Sequence, residues 1–145
     1  MGRIAWGRVL LGGVIAGVIF NAFEFVLHSR VLGASWSSAL LALGKTPDEI
    51  TASQATSMPL LILWALLACL FGVWLYAAIR PRLGAGPKTA MTAAVATWFA
   101  VTLLPAMVTM AFDLYPGNLV TTWVLGEFVG LLVSVFIGAW IYREA

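Results

Sequence analysis

VLLGGVIAGVIFNAFEFVLH, residues 9–28, is the stretch whose reading decides the fold. Apart from Asn21, Glu24 and His28 it is apolar or glycine, and a run of this length crosses the roughly 30 Å hydrocarbon core of a bilayer as a helix. At about 100° per residue, Gly13, Gly17, Asn21, Glu24 and His28 share an arc of roughly 80° on one face. That face is expected to meet protein or a water-filled cavity, because a carboxylate at membrane depth costs on the order of 2.5 kcal/mol or more on insertion scales.

The rest of the chain reads the same way. Of its 145 residues 62% are hydrophobic and 10% charged, with a mean hydropathy of +1.00, which leaves too little polar surface for a soluble globule. Three further apolar runs follow, so that spans are expected at about 9–28, 58–79, 89–112 and 119–142. No segment has the alternating polarity of a barrel strand. The expected fold is all-α, one polytopic domain over residues 1–145, a four-transmembrane-helix bundle with a short interfacial helix in loop one.

Loops and charges set the topology. Arg80 to Lys88, with Pro81, Gly84, Gly86 and Pro87, reads as a tight turn between spans two and three, and Asp113 to Asn118 as another between spans three and four. Loop one carries Trp36, Leu40, Leu41 and Leu43 before Gly44, an interfacial turn, and then Thr46-Pro47-Asp48-Glu49, an N-cap, a proline at N1 and an acidic first turn. A helix starting there is expected to run through Pro59 into span two. Arg3, Arg8, Arg80, Arg82, Lys88 and Arg143 fall on one side and Arg30 and Lys45 on the other, so the positive-inside rule puts both termini in the cytoplasm of an inner membrane protein. The first span exceeds a signal-peptide core and is read as retained. Gly72-Val73-Trp74-Leu75-Tyr76 and Gly138-Ala139-Trp140-Ile141-Tyr142 form a weak repeat, either two related hairpins or a shared aromatic-belt composition.

Val31-Leu32-Gly33 followed by Trp36, and then Ala42-Leu43-Gly44-Lys45-Thr46-Pro47-Asp48-Glu49 leading into span two, resemble the four-span bacterial membrane family catalogued as domain of unknown function 1761. The resemblance extends to the spacing of all four spans. It implies fold and topology, and it brings no activity, ligand or catalytic residue.

Chemistry is sparse. The single cysteine, Cys69, lies in an apolar run without a partner, so there is neither a disulfide framework nor a cysteine metal cage. The net charge of +2 comes from residues at helix ends, which suits topology and not nucleic acid. No zinc-protease, nucleophile-elbow or phosphate-loop motif is present, and a lone His28 does not supply the second axial ligand of a bis-histidine haem. The expectation is therefore no enzyme, no cofactor and no metal motif. Gly126, Gly130, Ser134 and Gly138 recur every four residues on span four and, with Gly13 and Gly17 on span one, form small-residue packing faces. If spans one and four adjoin, Glu24, Glu127, Asn21 and His28 form one cluster about 9 to 12 Å from the outer helix ends. Two carboxylates there cannot both ionise cheaply, so one holds a proton or they share a cation; interhelical hydrogen bonding accounts for the same residues equally well.

Two functions follow. The first is a non-enzymatic membrane protein acting by helix packing, as a homo-oligomer or an accessory subunit among other membrane subunits in the lipid bilayer. The alternative is a small proton- or cation-linked transporter or sensor that uses the carboxylate cluster.

Overall fold

Thr46 starts the longest helix by a reciprocal cap: the Glu49 N–H donates to Thr46 Oγ1 at 3.3 Å while the Thr46 N–H donates to Glu49 Oε2 at 2.8 Å. Two otherwise orphaned donors are satisfied, and Asp48 and Glu49 sit at the positive end of the helix dipole. The helix that follows in the computed structural model, which describes residues 4–142, is α3, Pro47–Leu83. Its 37 residues reach about 55 Å, well beyond a bilayer core. As expected, it passes Pro59 without ending.

Pro81 was expected to stop this helix and lies inside it instead. A proline removes one N–H and crowds the carbonyl four residues back, yet the Gly84 N–H still closes the last turn on the Arg80 carbonyl at 2.9 Å. The stop comes from Gly84, whose φ of +84° is open to glycine and strained for most other residues.

Ahead of α3 come α1, Trp6–Val26, and α2, Gly33–Ala42, the short helix expected in loop one. Between them Leu27–Val31 widens into a π-turn, closed by the Leu32 N–H on the Leu27 carbonyl. The third span is broken in the same way. α4, Pro87–Trp98, passes through a π-turn at Phe99–Leu103 into α5, Leu104–Ala111. Pro105 supplies the cause, since it leaves the Val101 carbonyl four residues earlier without its helical partner. By position in the sequence, Thr102 and Thr109 are the candidates to satisfy that carbonyl. Neither does: Thr109 donates to the Pro105 carbonyl at 3.1 Å, and Thr102 turns away to another partner. Asp113, with φ at +51°, then ends the span. α6, Gly117–Ile141, closes the chain.

With their π-turns, four helices among the described residues are long and apolar enough to cross a membrane: Trp6–Val31, Pro47–Leu83, Pro87–Ala111 and Gly117–Ile141. No strand occurs among the described residues. α1 packs on α3 and α6, α4 packs on the same two helices, and α3 and α6 touch across the centre. Short connections make sequential neighbours antiparallel, an up-down-up-down bundle. Phe20, Cys69, Val73, Ala93, Leu131 and Val135 fill its interior, while Val14, Val18, Leu60, Leu61, Val129 and Trp140 form an apolar perimeter. Such a perimeter suits lipid and not water.

The ends of α1 and α6 meet where the Ala5 N–H donates to the Tyr142 hydroxyl at 3.3 Å and the Arg80 guanidinium lies 5.7 Å from the Tyr142 ring centre. Tyr76 and Tyr142, equivalent positions of the internal repeat, pack edge-on at 6.0 Å beside them. Arg3 and Arg143, two of the basic residues used in the topology reading, lie outside the described residues.

Glycine sets the spacing of the helices. A Cβ on Gly12 would stand 2.5 Å from the Gly138 carbonyl oxygen, and one on Gly138 would stand 2.8 Å from the Gly12 carbonyl oxygen. The backbones of α1 and α6 therefore touch. Gly13 and Gly17, expected to join the same face, pack instead under Leu70 and Leu66 of α3. The reason is geometric, because α1 lies in the angle between two neighbours and adjacent residues are about 100° apart on a helix.

Gly138→Leu is expected to destabilise the purified protein by roughly 1–3 kcal/mol through overpacking, read as a lowered thermal midpoint in detergent. Gly7→Ala, where an added Cβ meets nothing within 4 Å, should leave the midpoint unchanged or raise it slightly. Equal effects at the two positions would contradict the contact.

Candidate functional site

Glu24 and His28 are one turn apart, and their Oε2 and Nε2 atoms stand 3.2 Å from one another. Helical spacing alone brings them together. Glu127 comes from α6 and is 1% exposed, although it is a carboxylic acid in an apolar bundle. Two donors explain how it is held. The Thr102 hydroxyl, from the π-turn of the third span, donates to Glu127 Oε2 at 2.5 Å, and the Trp123 indole N–H, one turn back on α6, donates to Oε1 at 2.5 Å. Burial of a carboxyl group is tolerable only with such partners.

One ligand atom from each of Glu24, His28 and Glu127 lies within 4.8 Å of the other two. Spans one and four thus bring together the two carboxylates and the imidazole that the sequence placed in one cluster. Asn21 is spent elsewhere: its amide donates to the Gly17 carbonyl at 2.9 Å and to the Ile62 carbonyl of α3 at 3.3 Å. It ties α1 to α3 near the site.

The small residues of α6 make the approach. A Cβ on Gly126 would press on the Leu27 side chain, and one on Gly130 would collide with Phe23 and Phe20. Ser134 is buried in the same ridge. All four ridge positions are consumed inside the chain, so the packing role assigned to them is intramolecular here.

Aromatic rings wall the site on the side of loop one. Trp36 of α2 stacks on His28 with centroids 6.2 Å apart and meets Tyr115 edge-on at 5.0 Å and Trp123 at 6.1 Å. From the sequence alone Trp36 reads only as part of an interfacial turn. Trp123 carried a legible signal, since it is four residues before Glu127 and shares its face. Thr102 carried none, because its orientation depends on the π-turn.

Glu24 Oε1, the Trp36 indole nitrogen in the site wall and Ser134 Oγ on the ridge are buried without a hydrogen-bond partner, while the Glu24 side chain as a whole is 16% exposed and that of His28 37% exposed. The cluster presents carboxylate oxygens and an imidazole nitrogen at the end of the bundle where α2 and the α5–α6 connection lie. That set suits holding a proton or a cation.

No family model, curated protein or solved structure matches the chain.

Removing the donors should be costly. Thr102→Val and Trp123→Phe are each expected to lower stability by about 1–3 kcal/mol, the cost of leaving a buried acceptor unpaired. In a double-mutant cycle with Glu127→Leu, each loss should shrink, since the acceptor is gone. Fully additive losses in thermal or denaturant melts would separate Glu127 from its two donors.

Proposed function

We propose that this chain is a small, non-enzymatic membrane protein that captures a proton or cation at Glu24, His28 and Glu127, acting as a sensor or as one half of a transporter. The observation that supports it is the convergence, from two different spans, of two carboxylates and an imidazole in a bundle otherwise apolar. Ionisable groups inside a membrane lean toward function.

Assembly through small-residue ridges, the other expectation, loses its motivating feature, because Gly126, Gly130 and Gly138 meet side chains or backbone of the same chain. A hollow of about 350 Å³ is lined by Leu60, Leu63, Trp64, Leu67, Phe71 and Val101, an apolar groove suited to a lipid chain. The capture site lies apart from it.

In this reading the protein sits in the inner membrane with both termini cytoplasmic. Arg8, Arg80, Arg82 and Lys88 support that orientation by falling at one end of the bundle. The site then opens toward the outer face. The family resemblance in loop one agrees with four spans and adds no activity.

Two measurements test this. In a Cys69→Ala background, a membrane-impermeant maleimide applied to intact cells should label Gln54→Cys, and should label Lys88→Cys only after permeabilisation. The reverse pattern would turn the site to the cytoplasm. Thermal melts of the full chain in detergent, run across pH and against a panel of monovalent and divalent cations, should move with at least one variable. In Glu24→Gln/Glu127→Gln that response should be lost. A wild type indifferent to all of them would overturn the capture reading.

A further inference from the structure

We propose that Glu24, His28 and Glu127 form a binding site for one divalent transition-metal ion of the zinc type, a refinement that rests on the capture reading above. Ligands about 2.0–2.1 Å from a tetrahedral ion stand about 3.3 Å apart. The Glu24 Oε2 and His28 Nε2 separation of 3.2 Å already has that value. The Glu127 carboxylate oxygen needs only to close from within 4.8 Å, a movement of side chains and not of helices.

The buried Glu24 Oε1 is the second observation. It is an acceptor without a donor, and burial of such an oxygen is costly unless something positive meets it. A dication does so and also balances the two carboxylate charges. A monovalent ion would leave one charge over.

Glu127 is prepared for ligation as metal-binding carboxylates generally are, with outer partners fixing its orientation. Thr102 and Trp123 each occupy one lone pair on a different oxygen and leave the others for an ion. The donor set chooses among dications. Calcium takes six to eight oxygens and magnesium keeps several waters, whereas an imidazole with two carboxylates suits zinc, cobalt, nickel or iron(II). Three protein ligands leave a fourth position open, and the partly exposed His28 edge provides a way in.

The test uses the tag-free full-length chain in detergent, treated with a chelator and dialysed against Co²⁺ or Zn²⁺. One equivalent per chain is expected, with the visible absorption of tetrahedral Co²⁺, displaced by Zn²⁺ and not by Ca²⁺ or Mg²⁺. Glu24→Gln and His28→Ala should each abolish the equivalent, and Thr102→Val should weaken binding roughly 10–100-fold. Circular dichroism and size exclusion confirm that the variants fold; Glu24→Gln is the mildest change and decides if His28→Ala does not fold. Wild type that binds no Co²⁺ or Zn²⁺, or binding that survives Glu24→Gln, overturns the metal site. If such a protein still shifts its melting point with pH or a monovalent cation, the capture reading stands without the metal; if it shifts with nothing, both fall.

Discussion

The contact between the backbones of α1 and α6 is the constraint on which the rest of the arrangement depends. Gly12 and Gly138 allow it at one end of the bundle, where either Cβ would strike the facing carbonyl oxygen. Gly130 and Gly126 extend it toward the other end by receiving Phe20, Phe23 and Leu27. Only helices this close can bring a short carboxylate on each within reach of the other. Packing without a hydrophobic driving force, as between helices in lipid, depends on this kind of small-residue fit.

A second constraint acts on Glu127. Its donors come from two directions, Trp123 on its own helix and Thr102 on the third span, so the carboxylate couples α6 to the third span. Both π-turns of the described chain carry site residues, His28 in one and Thr102 in the other. A π-turn inserts an extra residue into the helical repeat and re-aims the side chains around it. In the third span Pro105 accounts for it.

Much of this was legible in the chain. The four spans follow from apolar length, and the start of α3 from the Thr46 and Glu49 spacing, because both depend on chemistry within a few residues. The pairing of Glu24 with His28 is equally local. Failures came where two local rules compete or where a neighbour decides. Pro81 was read as a stop although one missing N–H near a helix end disrupts little, and Gly84 carries the stop. Gly13, Gly17 and Asn21 share an arc with Glu24, yet they serve α3 while Glu24 serves α6, because one face of α1 fronts two helices. Thr102 looked like backbone support for Pro105 and became a partner of Glu127, a choice fixed by the tertiary position of α6.

The same geometry bears on why a chain so apolar keeps these groups. Interhelical hydrogen bonding alone needs Glu127, Thr102 and Trp123, and those three satisfy one another. Glu24 is not needed for that, and it brings a second carboxylate to the first with one buried oxygen left unpaired. Like charges at short range in a low dielectric oppose folding. The His28 imidazole meets one oxygen of Glu24, at 3.2 Å, and leaves the other without a partner. Packing accounts for Glu127 and leaves Glu24 unexplained; a positive ligand between them accounts for both. Glu24 is therefore the residue that separates a structural cluster from a capture site.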